Sequence, residues 1–112
     1  MIEEVLLNYL NESDLSVTAY AQRPETEPES YIIIEKTGSE RLNKIESATM
    51  AIQSYASTLY EAAKLNEDVK ALMDDLPELP EIGKVQLVSD YNYTSTNAKR
   101  YRYQAVFNIT HY

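Results

Sequence analysis

The sequence predicts an α+β fold, in which a mostly antiparallel sheet carries a long helix packed across one face, with elements in the order α-β-β-β-α-β-β. Two segments repeat apolar residues at the three- and four-residue spacing of a helix, and five others show the alternating or continuously apolar pattern of strands. The chain has 112 residues, of which 44% are hydrophobic. That length suits one domain with its own core, so residues 1–112 are predicted to form a single domain.

The first predicted element is a short helix, and its apolar stripe consists of Ile2, Val5, Leu6, Tyr9 and Leu10. Glu3 and Glu4 stand where a secretory signal would carry positive charge. We therefore expect the protein to be made in the cytoplasm. No apolar run approaches the length of a membrane span, and no membrane association is predicted.

Two strands and a polar loop are predicted next. Residues 15–20 alternate apolar and polar side chains, which indicates a half-buried strand. Residues 23–30 contain two prolines and three glutamates but no apolar residue, a composition typical of an exposed loop. The strand pattern resumes at Tyr31, and residues 32–34 are apolar on both faces, as in an interior strand. A turn is predicted at 37–41.

A long strand and the main helix follow. Residues 45–55 alternate and are rich in β-branched side chains, so they predict a strand whose core side holds Ala48, Met50 and Ile52. Ser57 or Thr58 is expected to cap the helix, and Thr58 with Glu61 has the spacing of a capping box. The apolar stripe of this helix consists of Ala62, Leu65, Val69, Leu72, Met73 and Leu76.

The last elements are two antiparallel strands. Pro77 and Pro80 end the helix, because proline cannot donate the hydrogen bonds that would continue it. A short polar turn at 94–98 joins the two strands. The residues expected to share one face are Val85, Leu87, Tyr91 and Tyr93 on the first strand, and Tyr101, Tyr103, Ala105, Phe107 and Ile109 on the second.

The sequence offers little catalytic chemistry. It has no cysteine, and its single histidine is His111, so one chain cannot assemble a thiolate site, a two-histidine metal site or a Ser-His-Asp triad. Glycine occurs only at positions 38 and 83, which excludes a glycine-rich phosphate loop. We predict that the protein is not an enzyme and needs no cofactor or metal.

Charge and aromatic composition indicate contacts with other proteins. The net charge of −8 argues against general binding to nucleic acid or to an anionic membrane. All 18 acidic residues lie at or before Asp90, whereas residues 91–112 carry a charge of +3. The chain also has ten tyrosines, and tyrosine and arginine are favoured at protein interfaces. We predict a subunit or partner interface formed by Tyr91, Tyr93, Arg100 and Arg102.

Three stretches carry a family resemblance: YIIIEKTG at 31–38, ATMAIQSYAS at 48–57 with LYEAA at 59–63, and RYRYQAVFNIT at 100–110. They resemble the tail-terminator family, the tail-completion or head–tail joining proteins of long-tailed phages and prophages of Gram-positive bacteria, often described as minor capsid or tail proteins. The resemblance implies a virion protein that forms a six-fold ring on the finished tail tube. Such a ring stops tube polymerisation and joins the tail to the head connector, and its subunit can be a monomer in solution.

A ring between head and tail has to let DNA pass without specific binding. Arginines retain phosphates because each contact releases counterions, whereas carboxylates do not. We therefore predict that the acidic loop bearing Glu25, Glu27 and Glu29 faces the channel and that Arg100 and Arg102 face a neighbouring protein. A solvated loop, or attraction of a cation or a basic partner, is the other interpretation of the three glutamates.

Two alternative functions remain open. An acidic inhibitor that mimics DNA needs a dense surface of one charge sign, and the ten basic residues of this chain are interspersed with the acidic ones. Another head–tail connector, or neck protein, would share the location of a terminator but occupy a different layer of the virion.

Overall fold

The computed structural model describes residues 1–97 and 99–112, and within them it has two α-helices, one 3-10 helix and one five-stranded sheet. The elements are α1 (Ile2–Glu12), β1 (Ala19–Tyr20), β2 (Tyr31–Leu42), β3 (Ile45–Ala56), α2 (Leu59–Asp74), the 3-10 helix Leu76–Glu78, β4 (Ile82–Asn92) and β5 (Tyr101–His111). The α+β prediction is confirmed. Among these residues, neither helix combines the length and the hydropathy of a membrane span.

The sheet is mixed, so the prediction of a mostly antiparallel sheet is wrong. Its strands lie in the order β1-β2-β3-β5-β4, and β1 runs parallel to β2 while the other three pairings are antiparallel. The parallel pairing is possible because β1 has only two residues, so residues 21–30 can carry the chain back to the same end of the sheet.

The element order also differs from the predicted one, because the 3-10 helix Leu76–Glu78 stands between α2 and β4. Pro77 lies in the first turn of that helix, where its missing N–H costs nothing. Helix α2 therefore ends before the two prolines, as predicted, and Pro77 lies in a second short helix.

The hairpin between β2 and β3 turns at Asn43 and Lys44, and the predicted turn at 37–41 is wrong. Both residues have positive φ, 52° and 69°, as in the type I′ turn whose twist matches that of the strands. Gly38 lies within β2 next to a bulge after Lys36, so the glycine that suggested a turn marks an irregularity of the strand instead. The other predicted turn, at 94–98, includes Ala98, which lies outside the described residues.

The main core lies between the helices and one face of the sheet. Thr58 caps α2 by accepting a hydrogen bond from the backbone N–H of Glu61 at 3.1 Å, as the sequence predicts. The predicted core side of β3 is confirmed, and the α2 stripe is confirmed except that Leu72 is only partly buried. The fully buried side chains that form this core include Leu6, Leu10, Ile32, Ile34, Met50, Ile52, Val69, Met73, Leu76 and Ile109.

A bulge in β4 changes which face its tyrosines occupy. Leu87 pairs with Phe107 on the helix side of the sheet. A register shift follows between Leu87 and Ser89, and beyond it Tyr91 lies opposite Gln104. The prediction that Val85, Leu87, Tyr91 and Tyr93 share a face is wrong, because the extra residue of a bulge reverses the alternation beyond it. The bulge places Tyr91 and Tyr93 on the face that the helices leave uncovered, which is called the open face below.

Candidate functional site

A stack of tyrosines lies on the open face, at the end of the sheet where β2 begins and β3 ends. Tyr31 and Tyr55 are cross-strand partners, and their rings are parallel within 8° at a centroid distance of 4.7 Å. Tyr20 approaches Tyr31 edge-on at 6.2 Å, and Ile33 packs against the same group. Ring pairs of these two geometries are the favourable ones for aromatic side chains. This group, the tyrosine stack, is a small second core on the side opposite the helices.

Arg102 joins the tyrosine stack to the end of β4. Its guanidinium carbon lies 4.3 Å from the ring centroid of Tyr93 and 5.6 Å from that of Tyr55. Its Nε donates to the backbone carbonyl of Tyr93 at 2.9 Å, and its Nη1 donates to the hydroxyl of Tyr55 at 3.0 Å. Arginine at this distance from aromatic faces makes cation–π contacts as well as hydrogen bonds. Arg102 therefore fixes the position of Tyr93. The ring of Tyr93 in turn contacts that of Tyr91, with 5.7 Å between their centroids.

A chain of hydrogen bonds crosses the strands beneath these rings. The hydroxyl of Tyr55 donates to Gln53 Oε1 at 3.1 Å, and Gln53 Nε2 donates to Gln104 Oε1 at 2.8 Å. Gln104 in turn donates to the hydroxyl of Tyr91. The amides of Gln53 and Gln104 are buried, and these contacts offset the cost of removing them from water. The hydroxyl of Tyr91 is the acceptor of the last of these hydrogen bonds, so its own proton is available to a partner.

The polar loop at 21–30 folds against the tyrosine stack. Tyr31 donates its hydroxyl hydrogen to Glu27 Oε1 at 2.6 Å, and Arg23 lies 3.6 Å from the same oxygen. Arg100 donates to the backbone carbonyl of Pro28 at 3.1 and 3.3 Å. The hydrogen bond from Tyr31 lowers the pKa of Glu27, and burial together with the Glu27 carboxylate raises the pKa of Tyr31 above its ordinary value of 10.0.

A cavity of about 310 Å³ opens between this loop and the turn before β5. It is lined by Arg23, Glu27, Tyr31, Tyr55, Asn97, Lys99 and Arg100. Three cationic side chains and one carboxylate give it a net positive charge within a chain whose net charge is −8. It is called the basic pocket below, and its cations suit an anionic group.

The structure brings most of the predicted site residues to this end of the open face. Tyr91, Tyr93 and Arg102 contact one another or share partners, and Arg100 joins them through the loop. Their assignment to an interface stays a prediction. So does the channel assignment of the glutamates. Glu27 is held by Tyr31, whereas Glu25 and Glu29 are exposed.

Sequence reasoning missed the residues that support this site: Tyr20, Arg23, Tyr31, Gln53, Tyr55 and Gln104. The signal was present in the alternation of β2 and β3. Strands that place Ile32 and Ile52 in the main core must place Tyr31, Gln53 and Tyr55 on the other face.

Comparison with known proteins gives no match from which a role for this site could be inferred. The chain matches no protein-family model and no curated protein.

Lowering the pH below 4.5, the ordinary pKa of a glutamate, is expected to loosen the 21–30 loop. The folded state lowers the pKa of Glu27, so the stability that this contact contributes is present above pH 4.5 and is lost as the pH falls through the lower, folded pKa. A ¹³C NMR titration of the Glu27 carboxyl should give a lower midpoint in the native protein than in Tyr31→Phe, which lacks the donor. Equal midpoints would contradict the assigned cause.

Proposed function

We propose that the protein is a tail terminator of a long-tailed phage or prophage, a structural protein that forms a ring at the end of the tail tube, stops tube polymerisation and joins the tail to the head. One observation carries the proposal: the two faces of the domain are unlike. The open face presents tyrosines and cations, whereas the opposite face is covered by helices. Unlike surfaces on opposite sides of a subunit favour head-to-tail contacts, which form a ring when the rotation between copies closes.

The outer surface of the helical layer is acidic. Residues 59–81, which include α2 and the 3-10 helix, contain seven acidic and two basic residues. The basic pocket on the open face is complementary to this charge. Complementary charges raise the rate and the specificity of association more than its final strength. A subunit of net charge −8 stays soluble when free and has matching surfaces when assembled.

The sequence resemblance supports the same function independently of charge. The three stretches that resemble tail terminators contribute Tyr31, Tyr55 and Arg102 to the site. In this proposal the ring contacts the tail-tube protein on one side and the head connector on the other, and DNA passes through it without specific binding. Glu25 and Glu29 are exposed on their loop, where carboxylates facing a channel would repel the phosphate backbone.

The alternative of a DNA-mimic inhibitor is less well supported. Duplex DNA carries about one charge per 1.7 Å of its axis. Lys64 and Lys70 lie among the seven acidic residues of 59–81, and residues 91–112 contain no acidic residue. A mimic needs a dense surface of one charge sign, which this chain does not offer.

Electron microscopy of the purified protein mixed with tail tubes of its phage tests the proposal. We expect density at one tube end only, and we expect capped tubes to stop growing when tube protein is added. Binding along the tube, or continued growth of capped tubes, would contradict a terminator. Density that appears only on isolated head connectors would indicate a neck protein instead.

Replacement of Tyr93 by alanine is expected to reduce the fraction of capped tubes about tenfold or more at a fixed protein concentration, because aromatic anchors dominate interface energies. Tyr93 is 46% exposed and its ring lies beside Arg102. The matched control is Tyr112→Ala, which removes a 72% exposed tyrosine beyond the opposite end of β5. Both variants should keep the far-ultraviolet circular dichroism spectrum of the native protein. Equal capping by the two variants would remove Tyr93 from the interface.

A further inference from the structure

The basic pocket contains positive charge that the subunit itself does not neutralise. Its one carboxylate, Glu27, already accepts from Tyr31 and pairs with Arg23. Arg100 donates to backbone carbonyls of the 21–30 loop, and these carry no net charge to balance the guanidinium. Lys99 is exposed and forms no ion pair with another described residue. The pocket therefore favours an occupant that brings carboxylate or phosphate groups.

The outer surface of α2, together with its C-cap residue Asp75, presents carboxylates without an ion-pair partner among the described residues. Glu61, Asp68 and Asp75 lie at intervals of seven residues, which places them on one stripe of the helix. All three are exposed, and none forms an ion pair with another residue of the described ranges. These residues are called the acidic stripe below.

The pocket and the stripe lie on opposite faces of the sheet. The pocket is lined by Tyr31 and Tyr55 on the open face of β2 and β3, whereas α2 packs on the other face, against β3 and β5. Within one subunit the pocket and the stripe cannot meet. They come together when the open face of one copy lies against the helical layer of a second copy. The same contact can then repeat from copy to copy, as a ring requires.

We propose that the basic pocket of one subunit receives carboxylates of the acidic stripe from α2 of the next subunit. The inference rests on the proposed ring, and it identifies the partner of the open face as a second copy of this chain. Arg23 and Lys99 are the cations that make the contact, while Arg100 holds the loop that shapes the pocket.

Zero-length carbodiimide cross-linking of concentrated protein, mixed from ¹⁴N- and ¹⁵N-labelled samples, tests the contact without any tail tube. We expect mixed-isotope peptides that join Lys99 to Asp68 or Asp75, and we expect their yield to fall several-fold between 50 and 500 mM salt because such contacts are screened. Absence of these peptides from a sample that yields other mixed-isotope carboxylate–lysine peptides would overturn the inference. This result is independent of capping, so the ring and its contact can fail separately.

Charge reversal provides the second test. Arg23→Glu with Lys99→Glu reverses the pocket, and Asp68→Lys with Asp75→Lys reverses the stripe. Each pair is expected to abolish capping of tail tubes while the fold is kept, and the chain that carries all four changes is expected to regain it. Loss without recovery would overturn the inference and assign the pocket to an acidic surface of another virion protein. Binding of a labelled DNA strand that depends on Arg23 and Lys99, without the Lys99 cross-links, would overturn it in favour of phosphate.

Discussion

Replacement of Val69 by aspartate is expected to unfold the domain. Val69 is fully buried on α2, within the core that joins both helices to the sheet. The change removes the burial of an apolar side chain, worth about 1.5 to 3 kcal/mol, and it adds a carboxylate for which the apolar surroundings provide no partner. We expect a loss of about 4 kcal/mol or more, a large part of the roughly 5 to 15 kcal/mol that stabilises an ordinary domain.

The matched control is Ala71→Asp, which adds the same charge two residues further along α2, where the side chain is exposed. Repulsion from neighbouring carboxylates should cost no more than about 1 kcal/mol there. Thermal unfolding, monitored by circular dichroism, measures the stability of both variants. A Val69→Asp protein that melts within a few degrees of Ala71→Asp would show that α2 does not cover the main core as the structure has it.

This contrast can be predicted from the sequence because it depends on local periodicity. The stripe through Ala62, Leu65 and Val69 identifies the buried face of α2, and the alternation through Met50 and Ile52 identifies the buried face of β3. Such patterns indicate which face of an element is apolar, and an apolar face has to be covered by something. They do not specify which element covers it.

The tyrosine stack was missed because it depends on strand register. Tyr31 lies opposite Tyr55 only because β2 and β3 turn at Asn43 and Lys44, about eleven residues from the stack. A turn placed at 37–41 shifts the register and separates the two rings. The error in the position of the turn therefore prevented prediction of the site, although the tyrosines that form it are evident in the sequence.

The composition of the chain predicts that tyrosines form an interface, but the predicted face for Tyr91 and Tyr93 is wrong. An excess of tyrosine over other aromatic residues indicates interfaces whatever the fold. Their position on a face depends on the bulge between Leu87 and Ser89, and residues 84–92 contain no glycine or proline that would indicate it. The parallel pairing of β1 was missed for a similar reason, since a two-residue strand is too short to show a period.

Replacement of Tyr31 by alanine is expected to have the second largest effect. Tyr31 is fully buried, stacks on Tyr55 at 4.7 Å and donates to Glu27. Removing a buried aromatic ring costs about 3 to 5 kcal/mol, and losing the ring together with its hydroxyl removes the surface against which the 21–30 loop packs. The main core lies on the other side of the sheet and keeps its contacts, so the domain should fold with a lower melting temperature and a detached loop.

Limited proteolysis with an enzyme that cleaves after glutamate measures the detachment, because Glu25 and Glu29 lie in the loop and neither precedes a proline. Cleavage at these two positions should be much faster in Tyr31→Ala than in Tyr31→Phe, which keeps the stacked ring and loses only the hydroxyl. The basic pocket shares Tyr31, Arg23 and Glu27 with the loop, so Tyr31→Ala should also lose the cross-links from Lys99 to α2. Rapid cleavage with intact cross-links would show that the pocket does not depend on the tyrosine stack.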